Sequence, residues 1–512
     1  MKIKLLNNNF INELCDDIKS NKFFYFGTIF SAFVFFIIIR NIVLATHDDI
    51  QFYILFRRYG FIQNLLRSIS ISIKYGRIFQ FISYFPAVFT YLFNNIIFYK
   101  VIFNIYILFS VISLWYLIFK HINKTIALMV VFVFFSFAQI NMQHNGFISF
   151  PGAQLYIGFI FLSIEKLISY YKNEKKCNLI WSSIFLLIPT LLYEAFIIFS
   201  IMLFLISVIH YYKNNNILKS IINSFKDLIL HIILMSVYLV IYFIVRFKAE
   251  NIYPGAELKI SSVGDSLYAL IMYTIGSFPL FTFIRIFSNI NVLEYINFIS
   301  VLKAIIASVF IIIIFKKINK CKIDNINIII WLAVLGIILP VLLISVTPLH
   351  VDWARNHGVY THLPSYYSYF FISVFLSFFC VFIFVKFKYN NIFFIIVIII
   401  FFFGSLFTDV SNRYYAEQFD YRLKKYKAID KMLSSKYFNI IENGADIYLP
   451  DFIGIHYSMY AFNDVLPKNN LNKYNFTNNK DTLLFDKPTY ILNYNDYNKT
   501  MNIKKISNNN YF

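Results

Sequence analysis

Cysteine is nearly absent from this sequence: four occur in 512 residues, Cys15, Cys177, Cys321 and Cys380, and no two stand at metal-ligand spacing. Neither a zinc site nor a disulfide framework is expected. Glycine is scarce as well, with 14 residues, none of them gathered into a phosphate-cradling loop. No internal repeat is visible. Charge is thin, since 14% of residues are Asp, Glu, Lys or Arg against 59% hydrophobic, and acids (26) are outnumbered by bases (46).

So little charge, with apolar residues in runs of about twenty, excludes an ordinary soluble core and reads as a polytopic membrane protein. The formal charge of +20 would point to nucleic acid in a soluble protein. Here much of the lysine lies in short loops between apolar runs, the positive-inside pattern, so membrane lipid is the expected surroundings and nucleic acid is not an expected partner.

The first run, Phe23 to Ala45, follows Lys2, Lys4, Lys19 and Lys22 without the short apolar region and cleavage site of a signal peptide. It reads as a retained helix with a cytoplasmic amino end. Further spans are expected at 97–119, 125–141, 153–170, 228–246, 298–316, 326–346, 367–385 and 391–408. Residues 178–211 are too long for one span and carry Pro189, so they divide into two around Tyr193-Glu194. Residues 265–287 must begin and end outside and contain Pro279, which suits a re-entrant or surface-lying hairpin.

The expected class is therefore an all-α polytopic membrane protein of about eleven transmembrane helices, an odd number that leaves the carboxyl end outside. Three parts follow: a cytoplasmic N-terminus 1–22, a transmembrane region 23–408 whose first outer loop is 46–96, and a polar extracytoplasmic tail 409–512. In the first outer loop, Arg57, Arg58, Arg67, Lys74 and Arg77 alternate with apolar residues as interfacial helices do. The tail is helix-like from Tyr414 to Leu433 and strand-like at 447–450 and 490–492, which predicts a small α/β-type domain.

The polar residues that interrupt this pattern are the functional candidates. Thr46-His47-Asp48-Asp49 delivers two carboxylates to the point where the first helix meets water. Asp48 or Asp49 can act as a base, repulsion or burial raising the pKa of one while the other orients partners; equally, acids favour helix N-termini and the pair can simply begin an interfacial helix. All ten arginines (40, 57, 58, 67, 77, 246, 285, 355, 413, 422) fall outside the cytoplasmic loops. Either they snorkel at the interface or several of them grip phosphate, for which the guanidinium fork is better shaped than lysine. Arg77, in Tyr75-Gly76-Arg77, is the first candidate. Glu194 binds sugar hydroxyls, pairs with Arg77, or is a plain outer turn. The loop holding His350, Asp352, Trp353, Arg355, His357, Tyr360 and His362 is the densest later cluster, with Arg355 suited to phosphate and Trp353 to stacking on a sugar. Its three histidines lack a compact ligand spacing, so no metal is expected, although a divalent cation is not ruled out.

The acidic pair directly after the first span, the long basic and aromatic first outer loop, and the many spans that follow resemble the GT-C superfamily of membrane glycosyltransferases. Thr46-His47-Asp48-Asp49, Tyr75-Gly76-Arg77 and Tyr193-Glu194 are similar to elements of the bacterial glucosyltransferases that decorate O-antigens and related surface glycans. The likeness covers about residues 23–410 in layout; the tail has no counterpart. It implies inverting transfer of a sugar from a polyprenyl-phosphate donor to a hydroxyl of a glycan or lipid-linked acceptor, at the outer face of a bacterial inner membrane, with no cofactor. Asp48 and Asp49 would be catalytic and Arg77, Glu194, His350, Asp352, Trp353, Arg355 and Tyr360 substrate-binding. An O-antigen polymerase or ligase, and a lipid-linked oligosaccharide flippase or other transporter, are the competing readings.

Overall fold

The computed structural model describes residues 8–448, 475–477, 488–495, 498 and 500–506, apart from 44, 78, 92–95, 144, 213–215, 253–254, 256, 258–261, 319–324, 387–390, 434–440 and 443. A helix α1 (Asn8–Ser20) precedes the first membrane helix, α2 (Lys22–Ile39). The first outer segment holds α3 (His47–Lys74), a 3-10 turn at Gln80–Ser83 and α4 (Tyr84–Tyr91). The basic and aromatic run thus folds as helices, and α3 is broken at Gly60 (φ 69°, ψ −175°), a conformation open to glycine and strained for other residues.

The bundle continues with α5 (Ile96–His121), α6 (Lys124–Phe137), α7 (Gln154–Asn173), α8 (Lys176–Leu192), α9 (Phe199–Tyr211), α10 (Ile217–Asp227) and α11 (Ile229–Phe247). Residues 178–211 divide as expected: α8 ends at Leu192, Tyr193 is extended, and a 3-10 turn, Glu194–Ile198, leads into α9. Then come α12 (Val263–Gly276), α13 (Phe281–Ile286), α14 (Val292–Tyr295), α15 (Phe298–Ile318), α16 (Ile326–Leu342), α17 (Pro348–Asn356), α18 (Leu363–Lys386) and α19 (Asn391–Leu433). Between α12 and the turn ending at Asn289 the chain bends by 102° around Pro279, so the expected hairpin is a broken helix.

Among the described residues seven helices are long and apolar enough to cross a membrane, or eight if the bent pair is one span: the protein is a multi-pass, predominantly helical membrane protein. Helices α6, α8 and α16 are apolar but shorter, and α7 carries Glu165, Lys166 and Lys172. Helix α6 is the central post. Every residue from Ile126 to Phe137 is buried, as expected of a helix apolar on all sides. Around it α5 packs on α7, α7 on α8, α16 on α18 and α15 on α19. Outward-facing positions such as Phe26, Ile29 and Phe33 of α2 recur at helical spacing and are exposed, as a lipid-facing stripe requires.

One expectation changes at the end of the bundle. The last span and the helix of the tail are a single 43-residue helix, α19, which runs through residue 409 without interruption. No glycine or proline occurs between Gly404 and its last residue, Leu433, and Asp409 is buried within it. Beyond it, β1 (Asp446–Tyr448), β2 (Asn475–Thr477), β3 (Thr489–Asn495) and β4 (Thr500–Ile506) form a mixed sheet in the order β2-β1-β3-β4. The strand-like run 490–492 lies in it, as do residues 447–448 of the other; residues 449–450 lie outside the described residues. β1 is parallel to β2 and β3, while β3 and β4 are an antiparallel hairpin.

Candidate functional site

The acidic pair opens α3. Thr46 caps that helix: its side chain accepts from Asp49 N–H (3.3 Å) and its own N–H donates to Asp49 Oδ2 (3.2 Å), a reciprocal capping box. The other oxygen, Oδ1, accepts from Phe150 N–H at 2.9 Å, which ties the start of the outer segment to the loop before α7. Asp49 is 1% exposed. Both carboxylate oxygens are therefore held by backbone donors, which fixes the side chain at the helix start. The side chain of Asp48 lies outside the described residues.

At the far end of the outer segment, Gly76 has φ 72°, and its Cα comes so near α11 that a Cβ there would meet Arg246 Cα at 3.2 Å. This turn directs Arg77 inward. Arg77 Nη2 donates to Glu194 Oε2 at 3.0 Å, and Nε lies 2.8 Å from Oε1 but off the hydrogen-bonding line. Glu194 therefore takes the second of its readings, a partner for Arg77 across 117 residues. The guanidinium also lies 5.9 Å from the Tyr193 ring centre. Tyr156, Tyr238 and Tyr242 surround the pair closely enough to feel its charges.

The two ends of the outer segment meet a common wall, residues 150–156. Phe150 binds Asp49, a Cβ on Gly152 would press on Pro86 of α4 at 2.6 Å, and Tyr156 faces Arg77. Asp49, Arg77 and Glu194 are thus brought to one rim, although the sequence separates them widely.

The later cluster is split by α17. On its inner side His350 is buried, with Nδ1 2.6 Å from Thr347 Oγ1, its ring edge-on to His362 (4.7 Å) and 5.2 Å from Trp353. On its outer side Asp352 accepts from Asn356 (2.6 Å) and lies 3.4 Å from His357, while Arg355 pairs with Asp265 of α12 at 2.5 Å. His350 and His357 therefore diverge, and among the described residues no three His, Cys, Asp or Glu gather as metal ligands. Tyr360 is buried; its N–H donates to Gln143 Oε1 (3.0 Å) and the Arg285 guanidinium lies 5.2 Å from its ring centre. Burial pushes its phenol pKa up, keeping it neutral.

Between the two groups stands the start of α18. Tyr366 turns to the later cluster, where with Gln139, Asn145, Thr361, His362 and Ser365 it lines a cavity leaving 10 Å³ for the centre of a water, room for about one molecule. Tyr367 packs on Tyr156 and Phe196, on the side of Arg77 and Glu194.

Four buried charged residues, at three places in the bundle, are not among the sequence candidates. Lys303 of α15 and Asp409 of α19 form a fully buried pair at 2.6 Å. Lys100 of α5 is buried beside Asp49. Glu165 of α7 is buried among Lys120, His121, Lys166 and Ser169. Each interrupts an apolar run, and that was the available signal. No family model matches this sequence, and neither a curated protein nor a solved structure matches it.

Proposed function

We propose that this chain is a membrane glycosyltransferase of the GT-C kind, moving a sugar from a polyprenyl-phosphate-linked donor to a hydroxyl of a surface glycan or lipid-linked acceptor. In this reading the reaction runs at the outer face of a bacterial inner membrane. Helices α6, α7, α8 and α16 cross with the other seven, about eleven in all. The amino end is then cytoplasmic, and the tail with its four strands is extracytoplasmic. The observation that carries the reading is the rim itself: an acidic helix start and an arginine–glutamate pair, both anchored to residues 150–156 at the edge of an apolar bundle.

The division of labour follows from the hydrogen bonds. Asp49 has both oxygens engaged and positions the helix start, so Asp48 is the base. The acceptor oxygen attacks the anomeric carbon opposite the phosphate, Asp48 takes its proton, and the bond to the phosphate oxygen breaks with inversion. Arg77, oriented by Glu194, is the cation that stabilises the departing phosphate. Trp353, His350 and Tyr360, with Asp352 and Arg355 on the outer side of α17, would receive the acceptor.

The test is transfer from a radiolabelled polyprenyl-phosphate sugar in membranes holding Asp48→Asn or Asp49→Asn. General base catalysis contributes about 10²–10⁴-fold, so Asp48→Asn should lose about that much and Asp49→Asn less. Parental rates in both variants would end the base assignment. A second reading, a lipid-linked oligosaccharide transporter, draws on the buried Lys303–Asp409 pair and the 102° break after α12, both features of transport bundles. Lipid-linked oligosaccharide movement in proteoliposomes that survives Asp48→Asn but stops with Lys303→Met would favour it.

A further inference from the structure

An ammonium buried in a membrane bundle needs a partner, and the other buried or half-buried lysines of this bundle have one. Lys303 pairs with Asp409, Lys120 and Lys166 pair with Glu165, and Lys317 donates to Asn21. Lys100 is the exception among the described residues. It is 5% exposed, and its Nζ makes no hydrogen bond. The Phe103 ring centre lies 5.0 Å away and the Tyr99 ring centre 6.0 Å. Such contacts recover part of the cost of burying a cation but satisfy none of its three donors.

Asp49 acts electrostatically on Lys100 but forms no ion pair with it. It is held where it is: turning towards Lys100 would break either the capping box or the bond from Phe150. One helical turn along the same face of α5, Asn104 Oδ1 is also buried without a partner. Unused donors and an unused acceptor side by side, next to a fixed carboxylate, make a buried polar cluster suited to a polar occupant.

The surroundings narrow the chemistry of that occupant. Ile97, Phe98 and Val101, beside Lys100 on α5, are exposed as lipid-facing residues are, and so are Phe85 and Phe89 of α4, which packs on α5. The cluster thus lies next to the acyl region, within reach of a headgroup whose chain stays in lipid. An acceptor group with several oxygens and negative charge fits three unused ammonium donors, and a phosphoryl group offers both.

We infer that Lys100 is the binding point for a phosphoryl group carried on a long apolar chain, received between α4 and α5 beside the acidic start of α3. This deepens the transferase reading, on which the identity of the chain rests, by naming a second cation, besides Arg77, for the phosphate.

The experiment is a binding titration on the purified full chain with three probes: polyprenyl phosphate, the corresponding free polyprenol and inorganic phosphate. The variants are Lys100→Met, Lys100→Gln and Lys100→Arg. Removing an unpaired buried charge should leave folding intact or improved, which a melting curve checks. Lys100→Met and Lys100→Gln are expected to bind polyprenyl phosphate about tenfold or more weakly and polyprenol as the parent does, whereas Lys100→Arg keeps most of the affinity. Parental binding of polyprenyl phosphate by Lys100→Met overturns the inference, and so does a parent that binds neither phosphate probe. Lys100-dependent binding of inorganic phosphate with no gain from the polyprenyl chain supports the phosphoryl site and overturns the lipid-linked donor. Lys100-dependent binding of polyprenyl phosphate in a chain that transfers no sugar supports the site and overturns the transferase.

Discussion

Breaking the Lys303–Asp409 pair is the sharpest test of how this bundle holds together. Both side chains are fully buried and their charged atoms are 2.6 Å apart. Removing one partner of such a pair leaves an uncompensated charge in a low-dielectric interior and costs about 3–5 kcal/mol. The two single variants should not be equal. Arg413, one turn beyond Asp409 on α19, also feels its charge and donates to Ser300 of α15 at 3.1 Å. Lys303→Met therefore leaves Asp409 with a second cation at hand, at the low end of that range. Asp409→Leu leaves Lys303 and Arg413 without their shared anion, at the high end. The double variant Lys303→Met, Asp409→Leu removes both charges and should recover most of the loss, since apolar replacement of a buried pair is often neutral or stabilising by about 1–4 kcal/mol. Thermal denaturation of the purified chain in one detergent, run as a double-mutant cycle, reads all three. Single variants within about 0.5 kcal/mol of the parent, or a double variant whose loss is the sum of the singles, would show that the pair is solvated and that the reasoning fails.

A Cβ at Gly276 would stand 1.7 Å from Tyr360 O, which is backbone, so Gly276→Ala must force α12 away from the loop before α18. It should cost at least about 1–3 kcal/mol by overpacking, whereas Gly264→Ala on the same helix, with nothing within 4 Å, should be neutral or stabilising; equal melting temperatures for the two would contradict the packing. Thr46→Ala removes the cap of α3 and should cost about 0.5–2 kcal/mol, read in the same melting assay. In a cysteine-free background, Ser288→Cys, exposed after α13, should react with a membrane-impermeant maleimide added to whole cells, and Lys175→Cys, exposed before α8, should not. The reverse result would invert the membrane orientation.

Much of the architecture can be read from the chain because membrane helices announce themselves locally. Phe23–Ala45 and 298–316 are apolar runs of the needed length, and Pro189 with Glu194 in the midst of one marks the division between α8 and α9. Thr46 followed three residues later by Asp49 announces a capped helix start, which α3 is. Read from the sequence, the last span ends at 408 and separate helix-like sequence starts at Tyr414, because a carboxylate after an apolar run looks like the end of a span, whereas α19 is continuous through both. Asp409 stays inside α19 because Lys303, 106 residues earlier, neutralises it. No local pattern carries that information.

The same limit governs the candidate site. Asp48, Asp49, Arg77 and Glu194 stand out singly as charges at the ends of apolar runs, but their relation does not. That Arg77 meets Glu194, that Asp49 spends both oxygens on backbone donors, and that Lys100 is left with none were decided by the crossing of α5, α7 and the outer segment. By itself the sequence determined a multi-pass helical membrane protein and marked where charge interrupts it, because hydropathy is a sum over neighbours along the chain. Which charges satisfy one another depends on distances of a few ångströms between segments a hundred residues apart, and only the packed bundle sets those.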